Sequence, residues 1–349
     1  MGYSTEITNL TRGKEGIEKE NKKDKFRMKS TSCALKYHLV SYKLIRNWVI
    51  HFNMLREEST NFDTLNVYFP PPVLRGYMYG AKEAYEARNS NRLLAIRLET
   101  NKSCNLRCRY CYARSGEDLV KVVDLDTLKS IISEAKELGI KSVVVIGGGE
   151  PTLHPTFKEL VAYNDSLGII PMVFSNTVLM TEELAEFLYK HNASVMGKLD
   201  SLKPEVQDYI AGREGAFKDI KIDRKYYGYD WLPYTPITAS GCLQHLYSLY
   251  INIEGNVRPC APTKLDEHPA FKIDGEYPYN VNRMSLKEIY DSDLFTFVRN
   301  IDRVLEGRCG NCEYREECIG CRGYAYSIGI NNGADPLEAL RMECKQCFK

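Results

Sequence analysis

Cys104-Asn105-Leu106-Arg107-Cys108-Arg109-Tyr110-Cys111 places three thiols at Cys-x3-Cys-x2-Cys spacing within eight residues. Three thiolates can hold three irons of a [4Fe–4S] cube and leave the fourth iron without a protein ligand. Clusters that only carry electrons usually take four cysteines. An open iron is a place to bind a ligand and do chemistry on it. The competing reading is a zinc knuckle, or three unrelated thiols. Structural zinc, however, asks for four ligands, usually on paired Cys-x2–4-Cys arms.

Around this run the pattern alternates strands and helices. Leu93 to Leu98 reads as a strand leading into the cysteine loop. Leu125, Leu128, Ile131, Ile132, Ala135 and Leu138 mark one helix face, ended by Gly139. Ser142 to Ile146 is a β-branched buried strand, and a helix runs from Phe157 to Leu167. Pro171 to Phe174 and Ser194 to Leu199 are further strands. Thr181 caps a helix running to Lys190, and Pro204 opens another running to Ile210. Repeated βα units predict an α/β fold with a parallel sheet. Ligands of such sheets sit beyond the carboxyl ends of the strands, which is where the cysteine loop falls.

A second motif, Gly147-Gly148-Gly149-Glu150-Pro151-Thr152-Leu153-His154-Pro155, directly follows the second strand. Glycines there let the backbone approach a ligand closely, and Glu150 can accept hydrogen bonds from an ammonium group. Alone, this would be a Gly-rich turn with a surface carboxylate.

The cysteine run, with Tyr110 before its last thiol, resembles the signature of the radical S-adenosylmethionine (SAM) superfamily. The glycine run is similar to that family's Gly-Gly-Glu motif. The resemblance implies a partial parallel (β/α) barrel with a cluster on Cys104, Cys108 and Cys111. The open iron chelates SAM, and an electron from the cluster breaks the sulfonium to give a 5′-deoxyadenosyl radical. It further implies Tyr110 near the adenine, and Gly148, Gly149 and Glu150 holding the methionine amino group. His154 shapes the loop. Ser175 and Asn176, ending the third strand, would lie near the ribose or carboxylate. Asp200, in Lys198-Leu199-Asp200-Ser201, would face the active site. Strand-end polar residues also serve as plain helix caps.

Either the barrel is shortened or a segment of it is absent from the sequence. Only 24 residues separate Phe217 from Cys242, where two more βα units belong. About four of six units are visible, which exposes strand edges and one wall of the substrate cavity.

The C-terminal cysteines form a third group. Cys242 is followed by twelve residues, Gly255, four residues and Cys260, with Tyr247 to Arg258 reading as a β-hairpin. Cys309-x2-Cys312-x5-Cys318-x2-Cys321 follows, then Cys344 and Cys347. These spacings resemble the SPASM extension of radical SAM enzymes, with one spacing shortened before Cys321. That implies a small Cys-rich domain carrying two auxiliary [4Fe–4S] clusters. Mapped onto the pattern, Cys242, Cys260 and Cys321 fall to the first. Cys309, Cys312 and Cys318, closed by Cys344 or Cys347, fall to the second. The usual fourth ligand of the first cluster follows its first cysteine closely, yet Leu243 to Arg258 contain no cysteine. Three possibilities stand: an open iron, ligation by His245, or the spare terminal cysteine. Four-cysteine zinc sites are the rival for this region.

The expected organisation is a disordered or frayed tail (1–30), an N-terminal helical region (31–91), the radical SAM core (92–217), a linker (218–241) and the SPASM domain (242–349). Within the N-terminal region a helix is expected over 33–58, an extended segment at Pro70-Pro71-Pro72, and a helix from Tyr77 to Arg88. A net charge of +1 over 349 residues supplies no field to attract nucleic acid. No apolar stretch is long enough to span a membrane. Clustered thiols without a signal-peptide pattern point to a reducing cytoplasm. The expected partners are a peptide or small-molecule substrate and a low-potential donor of the ferredoxin or flavodoxin type. The family implication is a peptide or protein maturase, with a small-molecule or tetrapyrrole enzyme, or an inactive SAM-binding protein, as alternatives. Ala261 follows Cys260 where formylglycine-forming relatives carry an Asp base, so that activity ranks lower.

Overall fold

The computed structural model describes residues 75–77, 79–116, 121–146, 148–221 and 242–344. The expected tail, the helix over 33–58, the proline segment, the linker from 222 on and Cys347 lie outside the described residues. Helix α1 (Ala81–Asn89) matches the last helix expected in the N-terminal region.

Four strands follow one another with helices between them: β1 (Ala95–Leu98), α2 (Leu125–Glu137), β2 (Ser142–Val145), α3 (Phe157–Ser166), β3 (Ile170–Ser175), α4 (Glu182–Lys190), β4 (Ser194–Gly197) and α5 (Pro204–Ala211). β1 to β3 are almost wholly buried, which is why they read as apolar runs rather than alternating ones. Helix α2 begins where Asp124 accepts from the Thr127 N–H, and it lays Leu128, Ile131, Ile132 and Ala135 on the sheet. Burying such side chains stabilises by about 1.5–3 kcal/mol each. Thr181 caps α4 by accepting from the Leu184 N–H, as its position predicted. Gly139, at φ +91°, turns the chain out of α2.

A short helix α6 (Ala216–Asp219) ends this part, and α7 (Gln244–Tyr247) opens the next. The sheet order is β4-β3-β2-β1-β5-β6, with β5 at Ser248–Ile251 and β6 at Val257–Arg258. β5 and β6 form the expected antiparallel hairpin. Tyr247, expected in its first strand, instead ends α7. The hairpin also does more than the sequence suggested. β5 pairs in parallel with β1 over Ala95–Leu98, so it belongs to the main sheet and not only to a separate cysteine-rich unit. β1 is buried, and an unpaired edge there would leave backbone N–H and C=O groups without partners. β5 supplies them.

The fold is thus a mixed α/β structure around an open, mostly parallel sheet, a partial barrel rather than a closed one. Helices α8 (Leu286–Asp291), α9 (Asp293–Arg299), α10 (Gly307–Gly310), α11 (Arg322–Asn331) and α12 (Pro336–Arg341) make up the rest. Among the described residues, no helix is long and apolar enough to cross a membrane.

Candidate active site

The registers bring the carboxyl ends of β1 to β4 to one side of the sheet. The cysteine loop leaves β1 there, the glycine motif leaves β2, Ser175 and Asn176 end β3, and Lys198 to Asp200 leave β4. The cysteine loop is tied to its surroundings through its backbone. The Arg107 and Arg109 N–H groups donate to Ala211 and Ile210 carbonyls at 2.9 and 3.0 Å, and the Cys111 N–H closes a turn onto Cys108. The Cys104 thiol is pushed up by burial, and by the negative charge of Glu150, Cys108 and Cys111. The Cys108 thiol is also raised, mainly by burial and further by Cys111. These three side chains therefore share one electrostatic neighbourhood.

The glycines have a clear local cause. A Cβ on Gly149 would overlap the Ser103 carbonyl oxygen, and one on Gly148, at φ +72°, would overlap that of Asn101. Their bareness lets the β2 loop press against the cysteine loop, where the Glu150 N–H donates to Ser103 O at 2.8 Å. The close approach that the sequence assigned to a ligand is, in the first place, an approach of two loops.

Glu150 is 2 % exposed. Its Oε1 accepts from Thr152 N–H (3.3 Å), Thr152 Oγ1 (2.8 Å) and Ser175 Oγ (2.8 Å); its Oε2 accepts from Asn176 N–H (2.8 Å). Burial still holds this carboxyl above its usual range, against the pull of those donors. A carboxylate offers about four acceptor positions, two on each oxygen. Oε1 is saturated, so the remaining capacity lies on Oε2. Ser175 and Asn176 thus brace Glu150. The Asn176 amide also donates to Asn105 Oδ1 at 2.7 Å, linking β3 to the cysteine loop. Asn105 Nδ2 is buried and has no partner. His154 is buried in the loop, with Nε2 against Val123 O (2.8 Å) and Nδ1 accepting from Thr156 N–H (3.2 Å). Its bonds are those of a loop-shaping residue.

Tyr110 and Asp200 meet. The Tyr110 hydroxyl donates to Asp200 Oδ2 at 2.7 Å, and Lys198 Nζ lies 4.1 Å from the ring centroid. Burial, then the Asp200 carboxylate, raise the phenol. Tyr110 remains 47 % exposed.

The C-terminal thiols act on one another across the whole set: Cys321 and Cys318 act on Cys242, and Cys344 acts on Cys321. Burial pushes Cys260 up to about 12, and the negative charge of Cys242 and Cys321 adds to it. Cys309 Sγ accepts from the Cys344 N–H at 3.2 Å, and Cys309 and Cys344 both act on Cys318. Cys242 and Cys260 flank the hairpin at the end where β1 begins, whereas the Cys104 loop leaves where β1 ends. The two thiol groups lie at opposite ends of one strand. The ten cysteines among the described residues are free thiols. Among those residues no group of three or more His, Cys, Asp or Glu converges on a position for a single metal ion.

Several site residues were not singled out from the sequence. Arg97, in the middle of β1, is buried with Nε and Nη2 unpartnered, and it acts on Tyr112, Cys242 and Cys260. A charge inside the apolar run Ala95-Ile96-Arg97-Leu98 was the available signal. Glu99 accepts from the Tyr250 hydroxyl and the Ile253 N–H, and Tyr250 meets Tyr112 at 3.1 Å beside Cys111. Arg322, wholly buried, donates to Leu340 and Met342 carbonyls and to Cys309 Sγ.

The loop beyond the first strand of this parallel α/β sheet supplies three thiols, donors of the kind that hold iron–sulfur clusters. Residues 98–222 belong to the radical SAM superfamily, and residues 242–313 form a C-terminal iron–sulfur cluster-binding domain of the SPASM type. Radical SAM domains use SAM and a [4Fe–4S] cluster, and SPASM domains bind auxiliary clusters. The chain is 28% identical over 170 residues to the antilisterial bacteriocin subtilosin biosynthesis protein AlbA of Bacillus subtilis, covering 46% of this chain and 38% of that one. It is 30% identical over 118 residues to Fe-coproporphyrin III synthase of Methanosarcina barkeri, covering 33% and 29%. The chain thus spans well under half the length of these curated relatives. Streptococcus suis SuiB bound to precursor peptide SuiA has the same kind of fold, with a TM-score of 0.54 at 16% identity over 77% of this chain and 80% of that one.

The residues present fit these cofactors. The thiol loop offers three sulfur donors, with an orphaned buried amide at Asn105 and spare capacity at Glu150 Oε2 beside them. The second group offers buried thiols flanked by unpartnered guanidinium atoms of Arg97 and Arg322, which suit an anionic thiolate cluster.

Proposed function

We propose that this chain is a radical SAM enzyme that modifies a peptide or protein by hydrogen abstraction. The observation that carries the reading is the meeting of Cys104, Cys108 and Cys111 with Glu150 and Asn105 beyond the ends of β1 to β3. Cys104, Cys108 and Cys111 hold the SAM-binding cluster. When bound, cluster and SAM together supply a radical able to take hydrogen from an unactivated C–H bond. Glu150 Oε2 accepts from the SAM ammonium, braced by Thr152, Ser175 and Asn176. Gly148 and Gly149 set that carboxylate against the cysteine loop. Asn105 Nδ2 is a donor for the SAM carboxylate. Tyr110, steadied by Asp200, offers its exposed ring surface to the adenine.

The auxiliary domain covers 242–349 in this reading, with the core at 92–217 and a linker at 218–241. Cys242, Cys260 and Cys321 serve one auxiliary cluster. Cys309, Cys312, Cys318 and Cys344 serve the other, supported by the Cys344–Cys309 contact. A ferredoxin- or flavodoxin-type donor and a cytoplasmic setting complete the proposal, since low-potential clusters need both.

The peptide assignment is supported by the likeness to a bacteriocin biosynthesis protein. A tetrapyrrole or other small molecule is the second reading, supported by the likeness to Fe-coproporphyrin III synthase.

The test is anaerobic incubation with SAM, dithionite and short peptides encoded beside the gene. Formation of 5′-deoxyadenosine with a mass loss on a peptide is expected. Formation of 5′-deoxyadenosine with turnover only of a porphyrin moves the assignment to the second reading, and none at all overturns catalysis. Iron and sulfide analysis gives about twelve irons per chain for three cubes, against a few zincs for a scaffold protein.

A further inference from the structure

We propose that His245 is the fourth protein ligand of the auxiliary cluster held by Cys242, Cys260 and Cys321. The inference rests on the iron–sulfur reading above and adds to it an imidazole in place of the missing thiolate.

Three observations meet at this residue. First, no cysteine lies between Leu243 and Arg258, so the first auxiliary group has only three thiols close together in the chain's own pattern. His245 stands three residues after Cys242, on the single turn of α7 that leads into β5. Second, its side chain is 3 % exposed, and neither Nδ1 nor Nε2 has a hydrogen-bond partner. Buried polar atoms are paired in the great majority of cases, so a buried ring with both nitrogens idle points to a partner the protein chain does not supply. The other buried histidine, His154, has both nitrogens engaged. Third, the neighbours of His245 are those of the thiols. Arg97 and Arg322 act on the ring, Arg97 acts on Cys242 and Cys260, and Arg322 directly follows Cys321.

Two arginines act on the ring. Each carries unpartnered guanidinium atoms, Nε and Nη2 on Arg97 and Nε on Arg322. A neutral imidazole is the form that donates a lone pair to iron. Guanidiniums cannot ligate metal, but they complement the negative charge of a thiolate-bound cluster. The chain therefore sets one unpartnered imidazole and two counter-charges beside the turn that carries Cys242, with Arg97 acting on the ring and on Cys242 and Cys260 alike. Exchange of thiolate for neutral imidazole raises the potential of an iron–sulfur centre, as it does where histidines replace cysteines on one iron.

The test uses the full chain with Cys104, Cys108 and Cys111 all changed to alanine, so that only auxiliary clusters are reconstituted. The reduced protein is prepared with natural-abundance and with 15N-labelled histidine, and examined by pulsed EPR without SAM. A directly coordinated histidine nitrogen, converting from the 14N to the 15N pattern on labelling, is expected. It is lost in His245→Ala while thiol-bound iron remains. In His245→Cys, full iron occupancy is retained and the midpoint potential of that cluster falls. Clusters present with no histidine coupling overturn His245 ligation and leave the iron–sulfur reading intact. So does a coupling that persists in His245→Ala. Absence of iron and sulfide overturns both. Should His245→Ala fail to fold, the labelling of the parent protein decides alone.

Discussion

Replacing Glu150 with glutamine separates bracing from binding at one atom. Glutamine has one carbonyl oxygen and one NH2 in place of two equivalent oxygens. Set with its oxygen at the Oε1 position, it keeps the bonds from Thr152 N–H, Thr152 Oγ1 and Ser175 Oγ. Its NH2 then faces the Asn176 N–H, which bonds Oε2 at 2.8 Å in the native chain. The flipped amide keeps that bond, and its NH2 donates to the Thr152 and Ser175 hydroxyls, which accept as well as donate; it forfeits only the 3.3 Å bond from Thr152 N–H, so it prevails. The group opposed to a SAM ammonium is then a neutral carbonyl oxygen rather than an anionic one. Losing the charge while keeping the hydrogen bond costs about 1–1.5 kcal/mol, so Kd for SAM rises about 5- to 13-fold. Equilibrium binding of SAM to the anaerobically reconstituted protein measures this, with iron content as the control for the cluster. Unchanged affinity with full iron would refute the assignment of Glu150 to the ammonium. Loss of iron would instead show that bracing, not binding, is its main role.

Other perturbations follow from the same geometry. Gly149→Ala drives a Cβ into the Ser103 carbonyl and breaks the Glu150 N–H···Ser103 bond; about 2–5 kcal/mol of stability is lost, seen in urea denaturation of the apo-chain, and a loss below 1 would contradict the packing argument. Arg258→Met removes the counter-charge of the buried Asp266 carboxylate, which Arg258 holds through Nε at 2.5 Å and Nη2 at 2.6 Å, and leaves it only the Asn252 and Asn256 amides; a loss of about 3–5 kcal/mol is expected by the same assay. Because burial raises the Glu150 carboxyl, the folded apo-chain binds that proton more tightly than the unfolded chain. Stability contributed there is present at low pH and lost as pH rises from about 4.5 through the raised value, and Glu150→Gln removes this slope in denaturation curves run across that range. Tyr110→Phe removes the hydroxyl bond to Asp200 while keeping the ring; weaker SAM binding with unchanged iron content is expected, and unchanged SAM binding would place the adenine elsewhere.

Much of this architecture is written in local pattern. β1 to β4 and α2 to α5 follow from apolar runs, caps and turn glycines, because each is decided by residues within a few positions of one another. Glu150, Ser175 and Asn176 were recognisable as strand-end polar residues, yet their mutual bonding was not, since it joins residues 25 apart across two loops. The pairing of β5 with β1 was equally hidden. A four-residue apolar strand carries no mark of its neighbour, and Ser248–Ile251 lies about 150 residues from its partner. Gly148 and Gly149 were read for the right property and the wrong first cause: bareness serves loop-to-loop contact before it serves any ligand. Arg97 and Arg322 escaped notice because a lone arginine in sequence looks like surface, and only burial without partners gives it meaning.

The most direct measurement is the low-temperature EPR spectrum of the reduced, anaerobically reconstituted chain with and without SAM. The account predicts that SAM alters the signal of the cluster on Cys104, Cys108 and Cys111, and that this response vanishes in Cys108→Ala while the auxiliary signals persist. A spectrum indifferent to SAM, from protein carrying its full iron, would contradict it.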